Sequence, residues 1–181
     1  NKSIYYLTLA ANQNNAESQF VLGIIYTDQD IDKAIYYSKL AAEQDYLLAQ
    51  KHLGYIYHTF KKDIKNAIHY LTLAANHNDA ESQFGLGNMY FEKKNNPYRD
   101  VKIAMHYWTL AANQNNSEAQ TQLGTIYHDG DENISPDITK SIYYLTLAAN
   151  QNHPYALYYL GVDYFSGYHI PRDMNLALHY F

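Results

Sequence analysis

Cysteine is absent from the 181 residues, which excludes disulfides, thiolate metal sites and thiol nucleophiles. Charge is sparse: 17% of residues carry one, and the formal net charge is -5. No basic cluster exceeds Lys61-Lys62 or Lys93-Lys94, so the electrostatic footprint of a nucleic-acid binder is missing. No apolar run approaches the roughly 20 residues that span a bilayer, which argues against membrane insertion. HExxH, GxSxG and P-loop signatures are lacking as well, and with them the commonest local marks of metal, acyl-transfer and nucleotide chemistry.

What the chain has in abundance is repetition. KSIYYLTLAANQN occurs twice, at 2–14 and 140–152, with weaker copies beginning at Lys33, Asn66 and Ile103. A double Ala recurs at Ala10-Ala11, Ala41-Ala42, Ala74-Ala75, Ala111-Ala112 and Ala148-Ala149, and Leu-Gly at Gly23, Gly54, Gly87, Gly124 and Gly161. Both series step by 31, 33, 37 and 37 residues. The second Ala always precedes the Gly by 12 residues, so one connection is constant and the other absorbs every insertion. Such a period marks a repeat architecture. The chain opens and closes inside a repeat, which reads as a single array over 1–181, truncated at both ends, with units joined near 12–16, 43–47, 76–80, 113–117 and 150–154. Truncated ends would expose apolar repeat faces, an expectation of reduced solubility and of self-association.

Each copy reads as two helices. Ala34, Tyr37 and Ala41 are spaced by three and four, with Leu40 widening the stripe. Ser18, Leu22, Ile25 and Tyr26 form the apolar or small face of the helix bearing Leu-Gly. Polar turns such as Asn12-Gln13-Asn14-Asn15 join the two. A mid-helix Gly costs about 1 kcal/mol against Ala, and its recurrence at one register predicts close approach of a neighbouring helix. The variable connection collects Pro97, Pro136 and Pro171 ahead of the next helix, with Asp able to cap it, and Gly130 and Gly167 as helix C-terminal turns.

The stretch SEAQTQLGTIYHDG…SPDITKSIYYLTLAANQN resembles the Sel1-like repeat, a helical relative of the tetratricopeptide repeat. Ala119, Leu123, Gly124, Tyr127, Gly130, Lys140, Tyr144, Ala148 and Ala149 fall on its pattern, and Ser141 replaces the usual Ala. The resemblance covers the chain in about five units. The first three lack the Gly after the Tyr, which predicts shorter turns there, and Leu47-Leu48 replaces the usual Ala-Glu start. It implies an all-α, right-handed α-solenoid of stacked antiparallel helix pairs. It also implies an adaptor that nucleates protein assemblies without catalysis of its own. The cysteine-tied bacterial subclass is excluded.

The residues give little for chemistry to use. His69, His106 and His179 share a register that holds Tyr5, Tyr36 and Tyr143 elsewhere, which reads as a tolerated helix face. His58 and His128 share another register but lie two units apart. Neither a catalytic residue, a metal ligand nor a cofactor is expected. Tyr26, Tyr57, Tyr90, Tyr127 and Tyr164 form one anchor and Tyr6, Tyr37, Tyr70, Tyr107, Tyr144 and Tyr180 another, and both are assigned to the core. The informative positions vary at fixed register, three before the Gly, one after and four after. They are Phe20, Ile24 and Thr27; Lys51, Tyr55 and His58; Phe84, Asn88 and Phe91; Thr121, Thr125 and His128; Tyr158, Val162 and Phe165. By resemblance to tetratricopeptide-type solenoids this stripe lines the concave face, where it would hold a partner peptide or helix. The alternative is a structural spacer or self-associating array attached to a catalytic domain such as a kinase. Missing cysteines and the lack of a visible signal or spanning segment favour the cytoplasm. The sequons Asn1-Lys2-Ser3 and Asn133-Ile134-Ser135 keep a secretory or endoplasmic-reticulum location open.

Overall fold

The computed structural model describes residues 2–92, 96–131 and 133–181; the Asn1 sequon and the Lys93-Lys94 pair lie outside the described residues. Among these, eleven helices follow one another: α1 Lys2–Asn12, α2 Ala16–Tyr26, α3 Ile31–Ala42, α4 Leu47–Thr59, α5 Ile64–Ala75, α6 Ala80–Phe91, α7 Val101–Ala112, α8 Ser117–Asp129, α9 Ile138–Ala149, α10 Pro154–Ser166 and α11 Met174–Tyr180. None is long and apolar enough to cross a membrane. The chain forms two compact units, Asn1–Met89 and Tyr90–Phe181. Within the first, α2 packs on α1 and α3, and α4 on α3 and α5; within the second, α8 packs on α7 and α9, and α10 on α9 and α11.

The constant connection is a helix C-terminus of one recurring form. Asn14, Asp45, Asn78, Asn115 and Asn152 adopt φ of 64°, 59°, 59°, 65° and 59°, the left-handed conformation that Asn and Asp tolerate best after Gly. The next N–H then reaches back to the first Ala of the pair, as in Asn15 to Ala10 (3.2 Å), Asn116 to Ala111 (3.2 Å) and His153 to Ala148 (3.1 Å). The left-handed residue's own N–H bonds the second Ala, as in Asn14 to Ala11 (3.0 Å) and Asn115 to Ala112 (3.0 Å). This is a Schellman closure, and it satisfies carbonyls that the helix end would leave bare. The residue after the turn can start the next helix at once. Asn15, Asp79 and Asn116 accept from the N–H of Ser18 (2.8 Å), Ser82 (2.8 Å) and Ala119 (2.7 Å).

The variable connection is closed differently. Asp30, Asp63, Asp100, Asp137 and Asp173 each cap the following helix through their side chains. Each also donates its backbone N–H to the carbonyl of the anchor tyrosine: Tyr26 (2.8 Å), Tyr57 (2.9 Å), Tyr90 (2.8 Å), Tyr127 (2.7 Å) and Tyr164 (2.9 Å). Whatever lies between is bridged by the same bond. In the second loop Lys62 (φ 53°) turns the chain, whereas Gly130 (φ 77°) and Gly167 (φ 69°) do so in the longer ones.

Alanines and leucines fill the interior: Ala34, Ala41, Leu22, Leu53, Ala67, Ala74 and Leu86 are fully buried in the first unit, and Ala104, Trp108, Leu123, Leu145, Ala148 and Leu160 in the second. The tyrosine anchors correct the sequence expectation. Only Tyr57 is buried, and Tyr6 is 65% exposed. The others are half-buried and stack in pairs, Tyr26 on Tyr37, Tyr57 on Tyr70, Tyr90 on Tyr107, Tyr127 on Tyr144 and Tyr164 on Tyr180, with interplanar angles of 3–11°. A phenol keeps its hydroxyl in water while its ring face is covered, so the anchors seal the variable edge of each helix pair instead of filling its centre.

Buried glutamines join the constant edges. Gln19, Gln50, Gln83 and Gln120, four residues before Gly23, Gly54, Gly87 and Gly124, are 1–3% exposed. Gln19 and Gln120 donate to the carbonyls of Ala11 (3.1 Å) and Ala112 (3.2 Å). Gln44 then donates to Gln19 Oε1 (2.6 Å), and Gln151 to Gln120 Oε1 (2.8 Å).

The recurring Gly makes room for the next helix. A Cβ on Gly124 would sit 2.6 Å from Leu145 Cγ and 3.2 Å from Leu145 N; one on Gly54 would sit 2.7 Å from Leu71 Cγ. Gly85 is different, since its nearest neighbour would be Leu71 Cδ2 at 3.8 Å. Gly124→Ala is therefore expected to lower stability by about 1–3 kcal/mol through overpacking, beyond the roughly 1 kcal/mol that Ala adds in a helix. Gly85→Ala should raise it by about 1 kcal/mol. Urea unfolding midpoints of the two variants check the opposite signs.

Candidate functional site

The helix that carries Leu-Gly presents its variable positions on the side away from the stacked tyrosines. In the first unit, Phe20, Ile24, Lys51, Tyr55, His58, Phe84 and Asn88 all line one groove of about 640 Å³. Leu48, His52, Leu71, Glu81 and Met89 complete its wall. The groove lies across α2, α4 and α6, which contribute the same register in turn. Ile24, Leu48 and Tyr55 are about half exposed, so apolar surface faces solvent there. Phe20 is set against the rings of Tyr46 (5.6 Å) and His52 (6.0 Å), and Tyr55 meets Phe60 edge-on. Lys51 is the one lysine of the wall, and it is paired with Asp79 at 3.3 Å and with Glu81. Those partners outweigh its burial and raise its pKa.

Joined to the groove wall is a polar chain centred on His52, a residue that sequence reasoning did not single out. His52 bonds Thr27 Oγ1 through Nε2 (2.9 Å) and Ser38 Oγ through Nδ1 (2.8 Å), tying α2, α3 and α4 together. Thr27 gives its own proton to Gly23 O (3.0 Å). A neutral imidazole protonated at Nε2 thus satisfies both hydroxyls, with Ser38 donating to Nδ1. Burial pushes the His52 pKa from 6.5 down to about 4. Gly23 belongs to the same arrangement, because a Cβ there would lie on Ser38 Oγ.

The second unit treats the same register differently. Phe91 is half-buried with its ring 5.1 Å from that of Trp108, Thr121 is buried and bonded to His153 Nδ1 (3.0 Å), and Thr125 is bonded to the carbonyl of Gln122 (3.0 Å). Phe91 and Thr121 are thus engaged inside the unit, which corrects their placement on a presenting stripe, while Thr125 is half-buried and bonded to its own helix. Tyr158, Val162 and Phe165 are exposed, with Arg172 lying over Phe165 at 5.6 Å. His128 is engaged inside the unit, its Nε2 against Asp163 Oδ1 (3.1 Å) and its Nδ1 against Asp129 Oδ1 (2.6 Å). Burial pushes its pKa down, but the two carboxylates outweigh that and raise it. His69, His106 and His179 are exposed, each edge-on to the tyrosine that follows it.

His52 makes stability pH-dependent in a defined window. The unfolded chain takes up this proton below its ordinary 6.5, and the folded one only near 4. Stability is present above 6.5 and falls as pH drops towards 4, by on the order of 3 kcal/mol at ~1.4 kcal/mol per pH unit. The capping carboxylates of Asp30, Asp63 and Asp137, lowered by hydrogen bonds from the helix N-terminus, act only below their ordinary 3.8. His128 has the opposite sign: its stabilisation is present below 6.5 and lost as pH rises through its raised value. Comparing His52→Gln with the parent cancels that contribution. Urea midpoints at pH 7.5 and pH 4.5 should differ markedly less in the variant than in the parent.

Comparison with known proteins places this geometry. The Sel1 repeat model matches residues 1–15, 16–46, 47–79, 80–116, 117–153 and 154–181. A protective antigen present in uropathogenic Escherichia coli strains, displaying an SLR fold, superposes with a TM-score of 0.86 at 25% identity, over 98% of this chain and 39% of that one. A Sel1 repeat protein from Oxalobacter formigenes superposes with a TM-score of 0.78 at 29% identity, over 98% of this chain and 75% of that one. A sel1 repeat protein from Klebsiella pneumoniae, at 21% identity and a TM-score of 0.57 over 97% of this chain and 88% of that one, agrees in fold. No curated protein matches the sequence. With the repeat model covering every helix pair, the chain belongs to the Sel1 repeat family, an all-α solenoid family whose members generally serve as scaffolds for protein interaction.

Proposed function

We propose that the chain is a non-catalytic adaptor, built as one repeat array, and that the groove over α2, α4 and α6 holds an apolar-faced segment of a protein partner. The observation that carries this reading is the convergence of seven variable-register residues on one open groove of about 640 Å³, with Ile24, Leu48 and Tyr55 exposed in it. Exposed apolar surface gathered in a concavity is how binding sites differ from ordinary surface. Phe20 and Phe84 line the groove half-buried, and Tyr55 is the aromatic anchor on which affinity would concentrate. The Lys51–Glu81 pair and Asn88 give the rim polar atoms to orient a backbone or a polar side chain. Acidic balance and the lack of basic clusters point to protein in preference to nucleic acid.

Ile24→Glu with Tyr55→Ser alters only exposed side chains, so the fold should persist by circular dichroism. Affinity capture from the source lysate should lose its specific proteins, identified by mass spectrometry, with this variant by tenfold or more. The outer-face control Tyr36→Ser should retain them. Equal recovery on all three columns would remove the groove from the proposal.

A further inference from the structure

Asp163 is a buried carboxylate of the second unit that is satisfied at one oxygen. Its side chain is 3% exposed, one oxygen meets His128 Nε2 at 3.1 Å, and Oδ2 is buried without a hydrogen-bond partner. A carboxylate taken out of water requires a cation or several donors. Arg172, on the same loop edge, is committed elsewhere, over Phe165 and against Met174 Sδ (3.4 Å). What does face Asp163 is a pair of imidazoles. His169, in the connection between α10 and α11, brings its ring to 4.7 Å from that of His128. One ligand atom each from His128, Asp163 and His169 lie within 4.8 Å of one another.

We propose that His128, Asp163 and His169 form a binding site for a divalent first-row transition metal of the zinc type. Two imidazoles and one carboxylate suit such an ion; magnesium and calcium favour all-oxygen sites. Metal–nitrogen and metal–oxygen distances of about 2.0–2.2 Å place neighbouring ligand atoms roughly 3.3 Å apart around a tetrahedral ion. His128 Nε2 and Asp163 Oδ1 already stand at 3.1 Å, so the remaining closure falls to His169. That residue is exposed and follows Gly167, the left-handed C-cap of α10, and side-chain rotation brings it in. Asp129 Oδ1, 2.6 Å from His128 Nδ1, is the outer carboxylate that fixes ring orientation behind many metal-bound histidines. Three protein ligands leave one position for water. The ion would pin the connection at His169 to α8 and α10.

No repeat register marks this set, because His169 lies in the variable connection, whose residues differ from one repeat to the next. The test uses the full chain, stripped with chelator and titrated with Zn²⁺ by calorimetry, with Co²⁺ as a spectroscopic probe. One equivalent should bind, Co²⁺ should show the visible bands of low coordination with nitrogen ligands, and Zn²⁺ should raise Tm. His169→Ala changes an exposed side chain and should leave the metal-free Tm alone while weakening Zn²⁺ binding by tenfold or more. Asp129→Asn should weaken it by roughly tenfold. His69→Ala, on an exposed helix face, should change nothing. No binding at micromolar zinc, binding equal in His169→Ala, or a preference for Mg²⁺ would each overturn the proposal.

Discussion

The hydrogen bond from the N–H of each capping aspartate to the carbonyl of the preceding anchor tyrosine holds the variable side of every helix pair. Asp30 follows Tyr26 by four positions and Asp137 follows Tyr127 by ten, yet the bond measures 2.8 Å and 2.7 Å. The same aspartate then caps the next helix with its side chain. Loop closure entropy grows only slowly with length, so a loop pinned at both ends can lengthen with little effect on the helices it joins. The tyrosine whose carbonyl accepts this bond is in each case one of a stacked pair. Insertions can therefore carry new side chains, as His169 shows, while the helix pairs keep their geometry.

The opposite edge is under the contrary constraint. A Schellman closure needs one left-handed residue and two accepting carbonyls at set offsets, so nothing can be inserted without breaking it. The double Ala supplies those carbonyls, and its small side chains let the next helix lie close; Ala11, Ala42, Ala75, Ala112 and Ala149 are all buried. Glutamine then collects the remaining acceptors. Its amide reaches the second Ala's carbonyl and the turn residue's side chain together, as Gln19 does with Ala11 and Asn14. A buried amide so used is satisfied and directional, and links one repeat to the next without a large apolar core.

Between these two edges the Leu-Gly helices are free to vary on the face away from the tyrosines. In the first unit the variation is apolar and open: Phe20, Ile24, Tyr55 and Phe84 surround a groove whose cation is already paired. The second unit spends Phe91, Thr121 and His128 internally, on Trp108, on His153 and on the His128–Asp163 contact, and leaves Tyr158, Val162 and Phe165 exposed. A rigid frame with a few interchangeable positions is suited to the interaction role of the Sel1 family. The two units show how differently those positions can be used without any change of frame.

Much of this was legible in the sequence. Helix pairs, the Asp caps, the turns at Gly130 and Gly167 and the close approach at Gly124 all follow from local rules repeated at one register. Each depends on backbone geometry that a few adjacent residues dictate. The stripe of Phe20, Ile24, Lys51, Tyr55, His58, Phe84 and Asn88 could be read off as one register for the same reason. Other features were decided only in three dimensions. Tyr26 and Tyr37 look like core residues in the sequence, yet they stack half-exposed, because a phenol lowers its energy most with its ring covered and its hydroxyl wet. Phe91 and Thr121 share the register of groove residues, yet they are turned to packing by Trp108 and His153, neighbours from other helices. The meeting of His128, Asp163 and His169 joins two helices and an irregular loop. No period in the sequence encodes that meeting, since it arises from where the chain returns in space.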